Sequence, residues 1–175
     1  EIAREIERNL DFLTTAARDV PARHRSLRSV FDHSWSLLSV EEQSALMRLS
    51  VLRAGFTRDA AERVAGAALP ILSSLTDKSL VRRSNAYAVR YDLHELIRQY
   101  AARRLQAEDG EEQTVNKKHA EYYLTLLQAR EPAMRSRHQK ETLIELRPEI
   151  DNFRSAWNFA VASAEVDLLR LVTGP

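Results

Sequence analysis

Apolar residues recur along most of this chain at steps of three and four, the signature of helices with one face turned to a core. Ile2, Ile6, Leu10 and Leu13 share one face of a short amphipathic helix, which Pro21 interrupts. From Leu27 the spacing is regular: Leu27, Val30, Phe31, Trp35 and Leu38 predict a second helix. Ser39 followed by Glu41 and Glu42 reads as an N-cap with acids in the first turn, so a further helix should run to about Val51. Gly55 ends the connection, and Thr57 with Asp59 starts a short helix towards Ala65. The stretch "AALPILSSLTDKSL" predicts another, with Pro70 tolerated in its first turn.

The period then changes from helical to alternating. "LVRRS" and "YAVRYD" place β-branched and aromatic residues on either side of Ser84-Asn85, a hairpin signal. Helical spacing returns with Leu93, Leu96, Ile97, Tyr100 and Ala101, and Gly110 closes that element. Val115, His119, Tyr122, Tyr123 and Leu126 make the next stripe, Leu143 and Leu146 another, and Ile150, Phe153, Trp157 and Ala160 a last one after Pro148.

Several helices followed by a small hairpin is the order of a winged helix. The expected fold is therefore mainly α, a winged-helix domain with a small β-hairpin followed by tetratricopeptide-like helical hairpins. Residues 1–21 are expected to be the tail of a preceding helical domain, 22–108 the winged-helix domain, and 109–175 a helical linker that starts the repeats. Tyr123 and Trp157 stand 34 residues apart, the period of tetratricopeptide repeats.

Charge and composition narrow the function more than the fold. With 26 basic and 25 acidic residues the chain carries a formal charge of +1, so its balance calls for neither nucleic acid nor an anionic membrane as partner. The absence of cysteine excludes disulfides, zinc ribbons and thiol nucleophiles, and fits a cytoplasmic location. No apolar run has the length of a membrane span, and the charged opening "EIAREIERNL" is not a signal peptide. A start without methionine and an end at "LVTGP" suggest a piece of a longer protein. None of the four glycines precedes a lysine, which rules out a Walker-type phosphate loop, and the histidines show no metal-ligand pairing. No catalytic residue, metal or tightly held cofactor is expected of this chain alone.

A winged helix raises the question of DNA. The candidate recognition helix, residues 67–78, carries only Asp77 and Lys78 as charges, beside Leu69, Leu72 and Leu75. Base readout and phosphate contacts both ask for more Arg, Lys, Asn or Gln than that. Arg82, Arg83 and Arg90 on the hairpin read better as a solvated edge that guards against strand pairing. The helix is expected to pack on protein, and DNA to bind only non-specifically. A DNA-binding winged helix with a helical oligomerisation region remains the alternative, and a helical-repeat adaptor a third reading.

His94 stands where the extended segment turns into a helix. Asp92 is placed to cap that helix and Glu95 to reach back, which makes His94 a first-turn residue. A neutral histidine at a helix N-terminus, where free N–H groups favour negative charge, is suited to hold a phosphate oxygen. Spacing alone favours a boundary residue with a local hydrogen bond over a ligand.

The text around it resembles a known family. "YDLHELIRQYA" is similar to the Met-His-Asp motif that ends the winged helix of NB-ARC and related STAND-class signalling ATPases, with Leu93 in place of methionine and Glu95 in place of aspartate. "FDHSWSLLSVEEQSALMRLSVLRAGF" and "ILSSLTDKSLVRR" resemble the start and middle of this domain in bacterial AfsR-like and LuxR-type transcriptional regulators, although His33 stands where tryptophan is common. "HAEYYLTLL" and "ELRPEIDNFRSAWNFAV" are similar to the segment leading into their tetratricopeptide-like sensor region. The resemblance implies an intramolecular switch. Its partners would be a nucleotide-binding domain upstream and a repeat or sensor domain downstream. His94 would contact the β-phosphate of ADP held by the parent protein in the closed state, and the winged helix would move when ATP replaces it.

Overall fold

A computed structural model of the protein describes residues 22–84 and 89–173. The helix expected over residues 2–13 and the tip of the hairpin lie outside the described residues. Helices α1 (Ala22–Ser36), α2 (Val40–Leu49), α3 (Arg58–Ala65) and α4 (Leu69–Asp77) come first. Strands β1 (Arg82–Ser84) and β2 (Arg90–Asp92) follow. Then come α5 (Glu95–Gln106), α6 (Glu111–Met134), α7 (Gln139–Leu146), a 3-10 turn (Arg147–Glu149), α8 (Ile150–Ala162) and α9 (Val166–Thr173). The molecule is mainly helical, with a winged-helix domain and one small antiparallel hairpin, as its periodicities predict.

Local chemistry sets most helix ends. Ser39 forms a reciprocal capping box with Glu42: its hydroxyl accepts from the Glu42 N–H, and its own N–H donates to the Glu42 carboxylate at 2.7 Å. Thr57 caps α3 through the Ala60 N–H at 3.2 Å, and Gly66, left-handed at φ +67°, ends it. Pro70 sits at the start of α4, where its missing N–H costs nothing. Gly110 is not a helix stop. Helix α5 ends at Gln106, and Gly110, at φ +74°, lies at the N-cap of α6.

The hairpin pairs Arg82 with Asp92, Arg83 with Tyr91 and Ser84 with Arg90. A third segment joins it. Phe56 exchanges two backbone hydrogen bonds of 2.8 Å with Tyr91, and their rings stack 6.1 Å apart. Gly55 makes this approach possible: at φ +82°, a Cβ there would lie 3.0 Å from the Tyr91 carbonyl oxygen. Gly55→Ala is therefore expected to destabilise the protein by about 1–3 kcal/mol through the left-handed backbone and the backbone contact. A melting temperature equal to that of the unmodified protein would contradict this.

The buried apolar residues form one cluster from Leu38 to Leu168. Leu46, Leu49, Phe56, Val64, Leu72 and Leu75 fill the winged-helix end, each no more than 2% exposed. At the other end Tyr123 of α6 packs edge-on against Phe153 of α8 at 5.8 Å. The buried face of α8 is rotated from the expected stripe. It runs through Asn152, Phe153, Ala156 and Ala160, whereas Ile150 and Trp157 are 48% and 40% exposed. Alanines at 156 and 160 let α8 lie close against α6, so the small side chains decide the face.

Candidate functional site

Helices α3 and α4 are the helix-turn-helix pair. Leu72 and Leu75 are fully buried, which leaves Leu69, Pro70, Ser73 and Asp77 on the outer face of α4. The single lysine at its end does not reach outwards as a free charge. Lys78 Nζ lies 2.7 and 2.6 Å from the two oxygens of Glu42, which also accepts the Ser74 hydroxyl. Lys78, then Ser74 and the Ser39 N–H, hold the Glu42 carboxyl down to about 2. This α4 face is apolar and weakly acidic.

The wing arginines divide in a way that charge counting does not reveal. Arg82 pairs with Asp92 across the hairpin, and Arg90 turns inwards to Glu149. Of the three, only Arg83 faces solvent outside an ion pair among the described residues.

His94 is the N-cap of α5 itself, not a first-turn residue. Its Nδ1 accepts the Leu96 N–H at 3.3 Å, so the neutral ring carries its proton on Nε2. The ring is exposed. Asp92 does not cap the helix because it is engaged by Arg82. Glu95 does not reach back because Arg98 and Gln99 hold it. Burial resists its ionisation, yet those two donors keep its carboxyl below the usual range. Arg53 faces the same turn; burial first, and then the like charge of Arg98, push its guanidinium down. The corner thus combines a capping imidazole, two guanidiniums and one carboxylate.

Behind it lies a group that the sequence reading missed. Asn152, buried in α8, binds the backbone of Arg53 and Gly55 and the side chain of Glu149, and faces His119 of α6. One signal was present. Asn152 shares a helical face with Ala156 and Ala160, so a polar side chain stands where only small apolar ones follow. Burial is the main reason that the His119 imidazole is pushed down to about 4.

The comparisons agree with this geometry. Residues 38–106 match the family model of the winged helix-turn-helix domain, which covers α2 to α5 and both strands. The chain is also similar to the Mycobacterium bovis protein named "Putative HTH-type transcriptional regulator Mb0914c". A Mycobacterium tuberculosis protein named "Putative HTH-type transcriptional regulator Rv0890c" is similar to the same degree. Each is 32% identical over 165 residues, or 90% of this chain and 18% of the relative. The chain therefore contains a winged helix-turn-helix domain homologous to part of these much longer proteins. No solved structure matches it significantly. Among the described residues, no helix is long and apolar enough to cross a membrane.

Proposed function

We propose that this chain is the winged-helix and helical linker portion of a STAND-class transcriptional regulator, acting as an intramolecular nucleotide-state switch. The observation that carries this reading is that the cations a DNA reader would present are paired with carboxylates of this chain. Lys78 is neutralised by Glu42 and Arg90 by Glu149, and α4 offers Leu69, Pro70, Ser73 and Asp77. Such a face suits packing on protein. His94 adds the second element, with Nδ1 satisfied by the helix start and Nε2–H left to donate to a phosphate oxygen of ADP bound by an upstream nucleotide domain. Arg53 gives that corner positive character, since Arg98 is paired with Glu95.

The test is His94→Ala in the full-length regulator. Loss of a hydrogen bond to a charged group, about 1.5–3 kcal/mol, should weaken ADP binding on the order of ten- to a hundred-fold. The closed state loses the same stabilisation, so the regulator should become active without inducer. The cap bond is long, and its removal should cost the isolated chain under about 1 kcal/mol. Unchanged ADP affinity with a lowered melting temperature would leave His94 a structural cap.

The family match and the names of the relatives favour a second reading, a winged helix that binds DNA. On the first reading the isolated chain should show only weak, salt-sensitive association that one wing arginine outside an ion pair can support. A gel shift preferring one sequence over random competitor at physiological salt would establish the second.

A further inference from the structure

Asn152 is 0% exposed, yet every hydrogen-bonding position of its amide is occupied. Its Oδ1 accepts the Arg53 N–H at 2.6 Å and lies 3.4 Å from His119 Nε2. Its Nδ2 donates to the Gly55 carbonyl at 3.2 Å and to Glu149 Oε2 at 2.9 Å. Two donors and two acceptors are the full capacity of an amide. Turning it over would set N–H against N–H and oxygen against oxygen, so only one orientation is allowed. The other oxygen of Glu149 takes Arg90 of β2.

These contacts join elements that the chain order separates. The 53–55 loop and β2 belong to the winged helix, whereas His119, Glu149 and Asn152 come from α6, the 3-10 turn and α8. Other polar ties between the two parts, Arg48 to Glu111, Gln106 to Glu112 and Tyr122 to Asp59, are more exposed. A buried carboxylate, guanidinium and amide add little net stability over apolar packing, but a shifted register would strand them all.

We propose that Asn152 and Glu149 form a polar latch that locks the winged helix to the α6–α8 helices, so that the two parts turn as one body. The latch holds whether the winged helix meets nucleotide or DNA, and so does not rest on the reading above. It also carries consequences for the His94 corner. The Arg53 backbone is held by α8 while its side chain faces Arg98 and Glu95, so a displacement of α8 displaces a cation beside the first turn of α5.

The absence of native cysteine makes the test direct. Spin labels are placed at Ser73→Cys on α4 and Lys140→Cys on α7, both exposed, and the distance distribution is measured in the whole chain. The expected result is one narrow distribution, which broadens about twofold or more in Asn152→Ala, since apolar packing lets two parts turn against each other where no buried polar contact fixes their register. A broad distribution in the unmodified chain overturns the proposal, as does a narrow one in folded Asn152→Ala. Should that variant fail to fold, Glu149→Gln decides: it keeps an acceptor for Asn152 but removes the charge facing Arg90. Broadening in that variant supports the latch, and an unchanged width overturns it.

Discussion

Glu149→Ala is expected to lower the unfolding free energy by about 3–5 kcal/mol, because it leaves the Arg90 charge without compensation in a buried site. The Glu149 side chain is 7% exposed and that of Arg90 21%, so water cannot replace the lost carboxylate easily. One Arg90 nitrogen, Nη2, already lacks a hydrogen-bond partner, and Asn152 would retain only the Gly55 carbonyl for its amide donors. The pair itself should be nearly dispensable. Replacing both residues together, Arg90→Met with Glu149→Leu, removes the charge along with its partner and should recover most of the loss. Asp151→Ala provides the contrast, since the Asp151–Arg154 pair has side chains 51% and 71% exposed and should change stability by less than about 1 kcal/mol. Urea denaturation midpoints for the four proteins check this. A loss below about 1 kcal/mol for Glu149→Ala, as small as at the surface pair, would refute the account.

Acidification is the second large effect expected. His119 is 1% exposed, its ring lies 4.7 Å from that of Tyr123, and Asn152 and Arg53 are the polar and charged groups it faces. Burial first, and Arg53 to a lesser degree, hold its protonation down to about 4 against an ordinary value of 6.5, with the Asn152 bond opposing them. The unfolded chain therefore takes up this proton before the folded one does. Above the ordinary value neither state is protonated and stability is full. Between 6.5 and about 4 the unfolded state gains protons alone, and stability falls by about 3 kcal/mol in total. Glu42 acts lower on the scale: its carboxyl is held down to about 2, so its contribution is present above 4.5 and fades as the pH drops towards 2. Urea midpoints measured from pH 7 to pH 4 should slope downwards, and His119→Gln should flatten that slope. A slope unchanged in the variant would show that another group is responsible.

What could be read in advance was local. Ser39 with Glu42, Thr57 and Pro70 lie within four residues of the N–H groups they serve or spare, and each behaves in the structure as its spacing predicts. The hairpin, the helical periods and the winged-helix order belong to the same short range. His94 shows where that range ends. Its position at the start of a helix was legible, but Asp92 looked like the cap until Arg82, ten residues away across the hairpin, claimed it. The α8 stripe held only in part: Phe153 and Ala160 are buried as expected, but Asn152 and Ala156 take the core positions instead of the larger and more apolar Ile150 and Trp157.

The sequence by itself determined the succession of elements, the helix starts and the lack of a phosphate loop, because those follow from backbone propensity and residue types within a few positions. Only the tertiary structure decided which charges remain available. Lys78 is neutralised from 36 residues away and Arg90 from 59, while Asn152 is saturated by backbone groups 97 and 99 residues distant. A side chain's charge is written in the chain, but its partner is chosen by folding, since desolvation drives each buried ion or amide to whatever complementary group the packed helices bring within reach.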